Sequence, residues 1–162
     1  MRRGRVAGLV ALTALVVCPP AQASLGLAFD RPAASAGEQV EVWNADSKGR
    51  PFPTGAIRPG SIRVYLVELR WADAAGGPAR DGNARIGPPN LRHLVLVGSL
   101  SRVHRVPKLT FRVPELPPGR YTTVLWCKPC APGAGSVFSS RLYPLGDRTS
   151  DDPDPAVLRV RA

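Results

Sequence analysis

The sharpest chemical motif in the chain is Cys127-Lys128-Pro129-Cys130. Two cysteines at this spacing can form a redox dithiol, half of a zinc site or a short structural disulfide. A zinc site needs two further ligands, and nothing in the spacing brings His93 or His104 to the pair. A redox dithiol wants its first cysteine at a helix amino terminus. Here Cys127 closes an alternating, strand-like run, and Cys130 leads into Ala131-Pro132-Gly133. A structural disulfide between Cys127 and Cys130 is the favoured reading, with redox and metal chemistry as alternatives.

A second group of residues is basic. Arg92-His93 and Arg102-Val103-His104-Arg105 lie close to Lys108 and Arg112. Guanidinium forks suit phosphate and carboxylate, so Arg92, Arg102 and Arg105 are candidate anion-binding residues. The simpler alternative is a solvated strand face. Few aromatic residues are interleaved with these cations, which argues against nucleic acid as a partner. Of the three tryptophans, Trp71 stands at the mouth of a long connection and is the candidate stacking surface; Trp43 and Trp126 read as sheet residues. Asp151-Asp152-Pro153-Asp154 groups carboxylates, yet its prolines and missing glycine turn do not fit a calcium loop. The chain has no G-x-S-x-G, H-E-x-x-H, G-x-G-x-x-G or Walker sequence. No catalytic residue, metal site or cofactor is therefore expected, and the chain is not read as an enzyme.

The elements that must carry these residues have a period of two. Leu25, Leu27 and Phe29, then Val40 and Val42, then Leu109, Phe111 and Val113, then Leu158 and Val160, each alternate with smaller or polar residues. Such alternation sets one face on a core and the other in water. Ala36-Gly37, Arg58-Pro59-Gly60, Pro117-Pro118-Gly119 and Pro132-Gly133 supply turns between the runs. Strands are expected over 25–30, 38–44, 61–69, 93–98, 108–113, 120–127, 136–142 and 156–161. With 18 prolines and 16 glycines, long amphipathic helices are disfavoured. The pattern predicts an all-β, antiparallel sandwich or barrel. Two connections are long, Asn44 to Gly60 and Arg70 to Arg92.

Ahead of this pattern stand Arg2, Arg3 and Arg5, an apolar run from Val6 to Val17, and Ala21-Gln22-Ala23. A basic start, a short apolar stretch and an A-x-A site make residues 1–23 a secretory signal peptide, leaving 24–162 as one domain. A twin-arginine signal and a lipidated Cys18 are the alternatives. The apolar run is shorter than the roughly 20 residues a membrane span needs. The chain carries a net +10, and loss of the three leading arginines leaves +7. A basic exported domain suits anionic cell-envelope polymer or another surface protein as partner.

Two passages carry a family resemblance. Ala34-Ser35-Ala36-Gly37-Glu38-Gln39-Val40-Glu41-Val42 resembles the passage between the first two strands of bacterial immunoglobulin-like modules. Phe111 to Tyr121, with Pro117-Pro118-Gly119 at its turn, is similar to their E-to-F passage. The resemblance implies an immunoglobulin-like β-sandwich and places Tyr121 at a tyrosine corner, its hydroxyl reaching back to the backbone. Pro118 to Trp126 also resembles the penultimate strand of periplasmic copper-resistance β-sandwiches, but the histidine and methionine ligands of that family are missing here. The function expected is an exported binding or interaction module at the cell surface. The alternatives are a thiol-disulfide or metal-handling protein using the cysteine pair, and a surface-structural protein without a specific ligand.

Overall fold

The computed structural model describes residues 26–46, 49–53, 62–72, 85–86, 89–103, 106–127, 136–139 and 154–162. Residues 1–23, read above as a signal peptide, with Cys18, and Cys130, His104, Arg105, Asp151, Asp152 and most of the connection from 73 to 88 lie outside these residues. Within them the chain is all-β, with two sheets and two single 3-10 turns.

The first sheet has the order β1-β3-β8-β7, from β1 (Leu27–Phe29), β3 (Gln39–Asn44), β8 (Val106–Arg112) and β7 (Ser101–Val103). The second is organised around β9 (Gly119–Cys127). One side of β9 pairs with β4 (Ile62–Glu68), whose far edge carries β6 (Leu94–Ser99). The other side is shared: β11 (Leu158–Arg161) takes Gly119 to Tyr121, and β10 (Ser136–Ser139) takes Val124 to Cys127. Beyond these lie β2 (Ala33–Ser35) and β5 (Arg85–Ile86).

The core lies between the sheets. Val40, Val42 and Phe111 enter it from the first; Val64, Leu66 and Leu125 enter from the second. The alternation read in the sequence thus selects the buried face, and Val40, Val42, Phe111 and Val113 are all buried as expected. A smaller apolar group, Val67, Val124 and Ala72 with Leu94 and Trp126 against it, forms on the outer face of the second sheet. The tight turn before β9 is fastened by Tyr121, whose hydroxyl donates to the Pro117 carbonyl at 2.9 Å.

The described parts of the eight expected strands are present, with shifted ends. Three short strands, β2, β5 and β7, add to those the alternation predicts. The expected run 25–30 ends at Phe29 because Asp30-Arg31-Pro32 bends the chain toward the other sheet, where Ala33–Ser35 pairs parallel with β11. Ser101–Val103 reads as part of a basic loop, but the chain crosses between sheets at Leu100 and continues as an edge strand on β8. Leu100 is buried at the crossing, and its N–H donates to the Ile62 carbonyl at 3.0 Å.

Candidate functional site

The two 3-10 turns lie at one end of the second sheet. The first, Leu69–Trp71, follows β4; the second, Leu91–His93, precedes β6. Because β4 and β6 are antiparallel, with Val67 opposite Leu94, both turns emerge from the same end of the pair. Asn90 starts the second turn, its side-chain oxygen accepting from the Arg92 N–H at 3.1 Å. This arrangement brings Trp71 and His93 together. Their rings stack with centroids 4.4 Å apart and planes 7° from parallel. The Arg70 guanidinium lies 5.5 Å from the Trp71 centroid and pairs with Glu68 at 2.8 Å. One indole face is therefore already covered by an imidazole, and Trp71 keeps 36% of its surface exposed.

Beside this stack lies a group of cations. β9 places Tyr121 toward the core and Arg120 on the outer face; β11 does the same with Leu158 and Arg159. The register sets Arg120 directly opposite Arg159. Both are exposed, and neither makes an ion pair among the described residues. Like charges directly opposite in an antiparallel pair repel. Continued beyond Glu68–Tyr121, the β4–β9 register brings Leu69 to Arg120, and Glu68, Leu69, Arg70 and Arg120 line a shallow depression of about 390 Å³. The β4–β6 pairing ends at Val67–Leu94, and Leu69 and Arg92 lie two residues further on, in the two 3-10 turns. Arg120 and Arg159 form a cross-strand pair, and Arg92 sits on the second turn at the same end of the sheet. Among the described residues, Glu68 is the carboxylate that lines this depression with Arg70 and Arg120.

Beneath these cations, Tyr121 is pressed into the core opposite Glu68. Burial raises its phenol pKa above the ordinary value, and the Glu68 charge adds to the rise.

Of the candidates read from the sequence, Trp71 and Arg92 come to this corner. Arg102 does not: it belongs to β7 in the other sheet, opposite Pro107. Ten residues of chain, mostly extended, separate it from Arg92, which corresponds to roughly 30 Å. Arg105 and Cys130 lie outside the described residues. Cys127 ends β9 with its side chain in the core, 1% exposed. Among the described residues no group of three or more His, Cys, Asp or Glu is arranged to hold a metal ion. No helix there is long and apolar enough to cross a membrane.

Reading the sequence by clusters missed Arg120 and Arg159, which are 39 positions apart. A signal was present in Leu158-Arg159-Val160-Arg161, where alternation sets the arginines on the face opposite the core. No protein-family model, no curated protein and no solved structure matches this chain.

Proposed function

We propose that the chain is an exported, immunoglobulin-like β-sandwich that binds anionic cell-envelope polymer at the arginine group beside the Trp71–His93 stack. The sheet orders support the architecture. β1-β3-β8-β7 follows the order of the four-stranded immunoglobulin sheet, and β4-β9-β11 follows that of its partner. The Tyr121–Pro117 hydrogen bond corresponds to a tyrosine corner.

The observation that carries the ligand class is the Arg120–Arg159 pair. Two exposed arginines held opposite each other, with no ion pair to a carboxylate among the described residues, cost stability in the free protein. A phosphate or carboxylate bridging them removes the repulsion and accepts charge-assisted hydrogen bonds from both. Arg92 and Arg70 extend the same field along a linear chain, and the exposed parts of the Trp71–His93 stack offer apolar contact to a sugar or polyol unit. Retention on purified anionic wall polymer tests this. The Arg120→Ala/Arg159→Ala variant should lose retention at low salt, while Arg102→Ala should keep it. Wild-type retention should collapse near 0.5 M salt, where the Debye length is only a few Å. Equal retention of all three proteins would assign the charge to solubility.

The cysteine pair receives the structural reading. Cys127 points into the core at a strand end, whereas reactive thiols occupy electropositive, partly exposed positions. A Cys127–Cys130 disulfide would pin the strand end and contribute about 2 kcal/mol at most for so short a loop. Turnover of insulin by the folded protein would support the redox alternative instead.

A further inference from the structure

Edge strands are where sheets meet other chains, and proteins blunt them by keeping them short or by placing charge or proline on them. β1, β2 and β7 have three residues each and β5 has two. β6 is the exception among the described edges. It has six residues, Leu94-Val95-Leu96-Val97-Gly98-Ser99, with no charge and no proline, and among the described residues it pairs only with β4. Its surroundings are apolar as well. The large hydrophobic side chains exposed among the described residues are Phe52, Trp71, Leu91 and Leu96, and the last three lie on β6 or on the turns at its foot. Leu96 is 54% exposed at the middle of the strand.

We infer that the free edge of β6 is a homodimer surface, where two copies join their second sheets through antiparallel β6 strands. The strand's own pattern selects a second copy as occupant. With Val95 on the two-fold axis, Leu94 of each copy lies beside Leu96 of the other on the outer face, and valine meets valine on the inner face. The cations at the strand ends stay apart. The six residues of β6 carry no charge and Arg92 lies outside them in the turn Leu91–His93, so two strongly basic chains approach through their uncharged segment. The edge also limits growth. The register shift between Val64 and Tyr65 bulges β6 near Val97, so the flat pairing segment is short. Each copy has one such edge, and a two-fold contact of this kind closes at two. This inference does not depend on the polymer-binding reading.

Sedimentation equilibrium of the full chain from about 1 to about 300 µM tests it, a range that brackets micromolar association. Wild type should show a monomer–dimer equilibrium. Leu96→Lys brings two charges into the paired segment and should weaken the dimer tenfold or more. Gln39→Lys, the same charge change on the exposed face of the first sheet, should leave it unchanged. An unaltered monomer unfolding midpoint for Leu96→Lys establishes that the fold survives. Amide exchange at Leu94 to Val97 should slow with concentration in the wild type alone. A wild-type monomer over the whole range, a dimer indifferent to Leu96→Lys, open-ended assembly, or protection of β6 only when another envelope protein is added would each overturn the inference.

Discussion

Reversing one charge of the Arg120–Arg159 pair should make the protein more stable and less able to bind. Arg159→Glu is the better choice because Arg120 already shares its depression with Glu68, which is engaged with Arg70 at 2.8 Å. Directly opposed residues have Cβ atoms about 4.5–5.5 Å apart, and two long side chains can spread their charges to roughly 7 Å. At that distance in water the Coulomb energy is about 0.6 kcal/mol, repulsive in the wild type and attractive in the variant. The swing is therefore about 1 kcal/mol at low salt, or a rise of roughly 3 °C in Tm for a domain of this size. Screening should reduce it to a fraction at about 0.5 M salt. The double variant Arg120→Glu/Arg159→Glu restores a like-charge pair and should return close to the wild-type midpoint, so the double-mutant cycle isolates the pairwise energy. Retention on anionic polymer should fall with Arg159→Glu and fall further with the double variant. A lower Tm for Arg159→Glu at low salt, or binding that survives it, would refute the argument from the opposed arginines.

Three further expectations concern the framework. Phe111→Ala removes a ring that is 7% exposed in the main core and should cost about 3–5 kcal/mol in denaturant unfolding. Tyr121→Phe loses the hydrogen bond to Pro117 and should cost about 1 kcal/mol near neutral pH. Because the folded protein raises the Tyr121 pKa, the stability tied to its neutral form is complete below about pH 10 and is lost as pH rises toward the folded value. The wild type should therefore lose stability across that alkaline window more steeply than Tyr121→Phe, as read by unfolding midpoints from pH 8 upward. At Gly98, φ is +150°, and an added Cβ would meet the Leu109 Cδ1 at 2.8 Å. Gly98→Ala should destabilise by about 1–3 kcal/mol in thermal or denaturant melts through strain and overpacking.

The parts of the fold legible in the sequence are those where one residue's neighbours along the chain decide its face. Val40 and Val42, or Phe111 and Val113, alternate with polar residues and are buried as that alternation requires. Tyr121 was legible because the turn that receives its hydroxyl lies four residues away. β2 was not, since Ala33–Ser35 is too short to show a period and exists through parallel pairing with a strand more than a hundred residues later. The site divides in the same way. Trp71 and Arg92 stood out locally as residues next to a long connection, but their association depends on the β4–β6 register. The Arg120–Arg159 opposition arises only when β9 and β11 pair. Arg102 looked like a neighbour of Arg92 in sequence because nothing local marks the crossing at Leu100 that sends it to the other sheet.

The parallel pairing of β2 with β11 has a mechanical consequence. Ala33 lies beside Arg159 and Ser35 beside Arg161, so the amino-terminal side of β2 and the carboxy-terminal side of β11 leave the pair at opposite ends. Tension applied through both ends of the domain would load this pair along the strand direction. The hydrogen bonds would resist together as a shear clamp instead of opening one after another like a zipper. The Arg159 N–H donates to the Pro32 carbonyl and the Ser35 N–H turns away to the Glu38 carboxylate, so the Ala34 N–H is the one that faces β11, and Ala34→Pro removes that donor from the clamp. Single-molecule pulling should show a lower rupture force for that variant when force acts through the two ends, with a much smaller change when the attachment points are moved to β3 and β8.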